Sequence, residues 1–339
     1  MVNLMFMLKQ GRIEFVDLAK GITILIIALT HTYGDSGGFV LEIFSIFKVP
    51  TFFALSGIFF KTYESSNVFF KKKANQLLIP LIFTYLFLSL PWNVFLELYG
   101  GHTLSITNLI LMPGTNRLNF GMAPGAWFVL CLLFIEIFYY FIFVLSRGNM
   151  MLISFVALLA GLTGYFLNEM SLPIWLDTAL TSMPFFLLGI LIGRYSSFLK
   201  LEMSSRQWLV LALSIIIFLY SIYILGDGEI FYAANRYNVN VFCLFIGGAS
   251  GVLVVLLVSK AIRTLSLISF IGRHSLIVLL THQLYLFILR NIVYQLNLQQ
   301  DNIFVSFSLF LIVVVLSVPT ICFCKKYLPW AFGLKELVK

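Results

Sequence analysis

Ten apolar stretches leave this chain little choice of fold. They cover roughly residues 15–34, 40–60, 78–97, 126–146, 150–168, 179–195, 207–226, 240–259, 275–296 and 303–324. Each is near the ~20 residues that carry a helix across the hydrocarbon core of a bilayer. Backbone N–H and C=O groups meet no water there, so a spanning segment must satisfy them within itself, as a helix does. The expected fold is all-α: a polytopic membrane protein of about ten transmembrane helices, with residues 1–339 forming a single transmembrane domain in contact with lipid.

The loops test that count. Short cytoplasmic loops collect Lys and Arg. With the N-terminus inside and the spans alternating, 18 of the 22 basic residues fall on the inner side; only Lys48, Arg117, Arg236 and Arg290 fall outside or within the membrane. The acids lean the other way, with Asp35, Glu42, Glu97, Glu169, Asp177, Asp227, Glu229 and Asp301 outside. One miscounted span would scramble the alternation from that point onward, so both termini are expected in the cytoplasm. The net charge of +8 then follows from topology, and no basic–aromatic surface for nucleic acid is evident. The first apolar stretch lacks a small-x-small cleavage site and is expected to remain as a span. Cys131, Cys243, Cys322 and Cys324 fall in apolar stretches with no metal-ligand spacing to histidine, so they read as small core hydrophobes and no metal is expected.

Two connections are long. Residues 61–77, with Lys71-Lys72-Lys73, are expected to form a basic inner loop, either a topology anchor or a landing site for an anionic headgroup or phosphorylated cofactor. Residues 98–125, rich in Gly, Pro and Asn, cannot span; they are expected to form an outer lid or re-entrant segment.

Charged or titratable residues inside spans are expensive and so point to function. An α-helix turns ~100° per residue, which puts Asp17, Lys20, His31 and Asp35 of the first span on one face. Lys20 and His31 lie about 16 Å apart along the axis. His31 has a side chain able to take and return a proton near neutral pH, and Asp35, four residues on, is placed to orient it. Lys20 either snorkels to the inner interface or meets an anionic part of a substrate, with Asp17 as its partner. Glu136 is an acid near mid-membrane, suited to an interhelical hydrogen bond or to a polar interior. Thr281-His282-Gln283 interrupts another span with three polar residues and predicts an interhelical network. Ser56-Gly57 lets a neighbouring backbone or a slender ligand come close.

Taken together the chain resembles the membrane acyltransferase-3 family, in its acetylase branch. The matching residues are Arg12, Asp17, Lys20-Gly21 and His31, then Pro50-Thr-Phe-Phe-Ala-Leu-Ser56-Gly57. The junction from Lys72-Lys73 to Pro80, Trp127-Phe128, and Gly272-x-x-Ser275-Leu276 followed by His282 also match. Lys20 stands where many members have arginine, and Asn75-Gln76 stand where arginine is common.

The resemblance implies a multi-pass protein of the bacterial inner membrane. Its activity would be O-acetyl transfer from cytoplasmic acetyl-CoA to a hydroxyl of a sugar or polysaccharide acceptor. On this reading His31, Asp35 and Glu136 are the catalytic candidates. Lys20, Asp17, Lys72, Lys73, Ser56 and Gly57 are candidates for contact with acetyl-CoA, and Trp127 and His282 for the polar interior. His31 has two open roles, general base or acyl carrier. The alternative from another class is a transporter or flippase of a lipid-linked sugar. A homo-oligomer is compatible with either.

Overall fold

The computed structural model describes residues 13–33, 38–63, 65–99, 105–112, 114–168, 170, 172–195, 198–200, 202–226, 228–299 and 302–338. Every apolar stretch is helical. The first segments are α1 (Glu14–Tyr33), α2 (Gly38–Ser45), α3 (Lys48–Ile58) and the long α4 (Ser66–Tyr99). A short α5 (Ile106–Ile110) precedes α6 (Ala126–Leu145) and α7 (Met150–Phe166). A 3-10 turn at Pro173–Trp175 leads into α8 (Leu176–Arg194), followed by α9 (Ser205–Leu225). After a small hairpin, β1 (Ile230–Phe231) and β2 (Arg236–Tyr237), come α10 (Phe242–Ile262), α11 (Ser266–Arg273), α12 (Ser275–Gln295) and α13 (Ile303–Tyr327).

The chain is thus an all-α polytopic membrane protein, but its ten segments are not ten alike. Eight helices among the described residues are long and apolar enough to cross a membrane. The fifth segment, α7, has 17 residues, at the short end of what spans. The second is broken at Ile46-Phe47 into α2 and α3. The third begins earlier than hydropathy indicates: α4 starts at Ser66, capped by the Ser65 hydroxyl on the Val68 N–H. Lys71, Lys72 and Lys73 are therefore helical and not in a loop. Asp177, counted among the outer acids, sits in the first turn of α8, fully buried.

Without water to drive them together, membrane helices associate by close packing of small residues. Here α3 lies on α8 through three glycines: a methyl added at Gly57 would strike the Phe186 carbonyl, at Gly189 that of Ala54, and at Gly193 that of Ile58. The α1–α11 contact is built the same way. A methyl on Gly21 would strike Ile268 O, and one on Gly272 the Asp17 carbonyl. These two contacts fix the rotation of α1 and α3, the helices that carry the polar residues described next.

The end that the loop charges assign to the outside is capped by residues 105–112 and 114–125 and by the β1–β2 hairpin. Arg117 holds the cap: its guanidinium pairs with Asp177 at 2.7 Å and donates to the carbonyls of Ala233 and Ala234. Asn235, in the left-handed region at φ 51, turns the hairpin and donates to Gly164 O at 3.0 Å, while Thr181 donates to its side-chain oxygen. Thr178 donates to Tyr232 O at 2.9 Å. Such buried polar groups tolerate lipid depth because each has a partner.

Candidate active site

The outer cap and α1 enclose a cavity of about 400 Å³. His31, in the last turn of α1, opens into it. Beside His31, the Thr30 hydroxyl donates to Ile27 O at 2.9 Å and accepts from Lys48 Nζ at 3.2 Å. Lys48 is the first residue of α3, made inward-facing by the break at Ile46-Phe47. An ammonium has three N–H donors. Thr30 takes one, and no second hydrogen bond is formed among the described residues, so the rest face the cavity. Glu42 and the Arg236–Glu229 pair (2.5 Å) form the outer wall, Trp127 the side, and Ile27 and Phe52 the inner end.

Behind His31 stands His282 of α12, with ring centroids 5.3 Å apart and planes inclined at 40°. Arg290, two turns further along α12, donates to His31 O at 2.7 Å. This bond fixes the end of α1 against α12.

The sequence-derived candidates separate into three places. His31 and Trp127 line the cavity, and His282 abuts His31. Asp35 lies outside the described residues. Glu136 does not line the cavity: it pairs with Lys73 at 2.7 Å, both side chains only 7% exposed. Each is the other's counterion in a place where a lone charge is costly. Lys73 is thus no exposed landing site, and the expected role of Lys71–Lys73 as a basic loop is corrected to a helical turn. Lys72, on the outside of that turn, pairs with Glu336 at 2.7 Å. Asn75 is held by the C-terminal segment, accepting from Leu337 N and Val338 N and donating to Val338 O. Lys20 and Asp17 are half-buried near the inner end of α1, Lys20 Nζ 5.0 Å above the Phe59 ring. Ser56 donates to Phe52 O, and Gly57 is occupied by α8 packing, which corrects its expected role as a ligand contact.

Asp17, Lys20 and His31 lie on the one continuous helix α1, with Asp35 outside the described residues, and the face between them is interrupted. Ile24, between Lys20 and His31, is fully buried, and Ile27 is 7% exposed. The stripe joins an inner polar end to an outer cavity through a closed apolar middle.

Sequence reasoning missed Lys48, Thr30, Arg290 and the Arg117–Asp177 pair. A signal existed for three of them: Lys48, Arg117 and Arg290 are among the four basic residues that break the inner-side rule. A cation on the wrong side has been placed there at a cost and marks a site.

An imidazole able to move a proton, an ammonium free to face developing negative charge, and a capped cavity are the parts that group transfer to a hydroxyl requires. A family model described as an acyltransferase domain matches residues 13–323, nearly the whole chain. No curated protein and no solved structure matches.

Proposed function

Because the chain belongs to the acyltransferase-3 family, a family of multi-pass membrane acyltransferases, we propose that it transfers an acetyl group from acetyl-CoA to a glycan hydroxyl, with His31 as general base. The observation that carries this reading is the opening of His31, beside the Lys48 ammonium, into the outer cavity. The sugar hydroxyl binds in that cavity and gives its proton to the free nitrogen of His31. Its oxygen attacks the thioester carbonyl, and the C–S bond breaks. The His31 proton returns to the departing CoA thiolate. Negative charge gathers on the carbonyl oxygen in between, and Lys48 faces it.

The donor arrives from the cytoplasm. Lys20 and Lys72 attract its phosphates, Lys72 by exchanging its exposed pair with Glu336. The pantetheine arm then passes Ile24 and Ile27 to bring the thioester over the ~16 Å to His31. The aromatic wall of Trp127 and Phe231 suits the apolar face of a sugar ring. On this reading the protein sits in a bacterial inner membrane and modifies a cell-envelope polysaccharide.

The test uses membranes containing the protein, acetyl-CoA labelled in the acetyl group, and the glycan fraction as readout. Label is expected in glycan from wild type and absent with His31→Ala. Full labelling by a correctly folded His31→Ala protein overturns the role of His31. Label trapped on the enzyme when acceptor is omitted replaces the general-base step with an acetyl-imidazole at the same residue.

A further inference from the structure

Resting on that reading of His31, we propose that His282 is its positioning residue: Nε2 of His282 accepts a hydrogen bond from the N–H of the His31 imidazole. This holds the His31 proton on the nitrogen facing α12 and leaves the other nitrogen bare toward the cavity.

A carbonyl fixes the tautomer of His282. Its Nδ1 lies 2.8 Å from Val278 O, one turn back on α12. A carbonyl only accepts, so Nδ1 carries the proton. A neutral imidazole has one N–H, and Nε2 is therefore a bare acceptor. The His282 side chain is 1% exposed, and Nε2 has no hydrogen-bond partner. A buried acceptor left unmade is a cost that native structures rarely carry without a function.

The nearest candidates to satisfy it narrow to one. The neighbouring Thr281 hydroxyl is committed to Ile277 O at 2.8 Å, and Arg290 donates to the His31 carbonyl. The facing side chain is the His31 ring, 5.3 Å away between centroids. The His31 ring makes no hydrogen bond among the described residues and borders open cavity, so it is free to turn. A donor without an acceptor faces an acceptor without a donor.

The consequence is chemical. A general base works only if the nitrogen aimed at the substrate is the unprotonated one, and the partner of the opposite nitrogen decides which that is. Carboxylates usually fill this place. Here a neutral histidine does, which adds no second charge to a site at membrane depth.

Two substitutions separate positioning from support. The amide of glutamine reaches the position of Nε2; that of asparagine reaches only Nδ1. Labelled transfer to glycan is measured against acetyl-CoA concentration in membranes carrying each variant. The expected result is that His282→Gln keeps kcat within about tenfold of wild type, whereas His282→Asn loses about 100-fold or more, the low end of what a misaligned base costs. KM for acetyl-CoA is expected to stay within about twofold in both. If His282 serves only to bond Val278, the order reverses and His282→Asn is the active variant, which overturns the proposal.

A second readout needs no turnover. The chain has four histidines, so 15N spectra of histidine-labelled protein can be assigned by substitution. His282 is expected to show a protonated Nδ1 and a hydrogen-bonded Nε2, the latter signature disappearing in His31→Ala. An Nε2 signal unchanged by that substitution overturns the pairing even if transfer is found. The signature present in a protein without acetyl transfer upholds the pairing and overturns the function instead.

Discussion

Removing Arg117 tests whether the outer cap is what gives the cavity its shape. Arg117→Met keeps the length of the side chain and deletes the guanidinium. Three partners are lost: Asp177 at 2.7 Å and the carbonyls of Ala233 and Ala234. The pair is almost dry, with side chains 4% and 0% exposed. Breaking a buried pair from one side costs about 3–5 kcal/mol, because the remaining charge is left uncompensated. Asp177 keeps N–H bonds from Leu172 at 3.2 Å and Thr178 at 2.8 Å, which favours the lower end. The two stranded carbonyls add about 1 kcal/mol between them once water or neighbours partly satisfy them. A loss of about 4 kcal/mol is expected for Arg117→Met. Asp177→Asn strands the guanidinium and should cost about as much. The double variant should be no less stable than either single one, since neither charge is then left alone. Denaturant titration of the four proteins in mixed micelles measures this cycle, and glycan labelling on the same samples measures the site. Transfer is expected to fall in both single variants under conditions where they remain folded, because hairpin residues Phe231, Tyr232, Ala233 and Arg236 form a cavity wall. Additive single variants, or single variants within about 1 kcal/mol of wild type, would refute the reasoning.

Three further outcomes follow from the geometry. Lys48→Met is expected to lower kcat about 10²–10³-fold, the cost of one lost donor to developing charge, with Lys48→Arg retaining more; unchanged kcat in purified Lys48→Met removes Lys48 from the chemistry. Glu136→Gln and Lys73→Met should each lower the thermal midpoint in detergent, and the double variant should regain some of it, because each single change leaves the other charge buried. Abolished transfer with an unchanged midpoint in Glu136→Gln would instead return Glu136 to catalysis. Gly21→Ala should cost about 1–3 kcal/mol by pushing α11 off α1, as over-packing does; a neutral effect on denaturant stability contradicts the tight contact.

The helices were legible because hydropathy and lipid impose them segment by segment. What was not legible depends on distant pairing. Glu136 read as a costly intramembrane acid and Lys73 as part of a basic inner loop, and nothing local says that each compensates the other. His31 and His282 could be selected one by one as polar residues in apolar spans, yet their contact joins the first apolar span to the ninth. Asp177 read only as one of the outer acids, and nothing local says that it is buried against Arg117, which another segment brings to it. The break at Ile46-Phe47 has a sequence signal in Pro50, which has no N–H to give Ile46 O four residues back, but the stretch reads as one apolar span, so Lys48 read as a stray basic residue when it is a cavity wall. Glycines behaved in the opposite way. Gly21 and Gly57 were visible as motif residues, but their demand comes from the backbones of α11 and α8, a matter of packing.

The closed middle of α1 bears on how such a site can work across a membrane. Lys20 near one end and His31 near the other share a face, and a continuous polar path between them would leak ions down the membrane potential, at ~2.3 kcal/mol per charge per 100 mV. Ile24, fully buried, and Ile27, nearly so, interrupt that path. A thin, flexible, uncharged arm can push these isoleucine side chains aside and pass; a hydrated ion must shed its water to do the same. The phosphate-bearing end of the donor then has reason to stay at the inner end with Lys20, while only the acetyl thioester enters the region of His31. On the proposed function, the apolar stretch between the two polar ends is therefore the element that allows a donor on one side to serve an acceptor on the other without opening a pore.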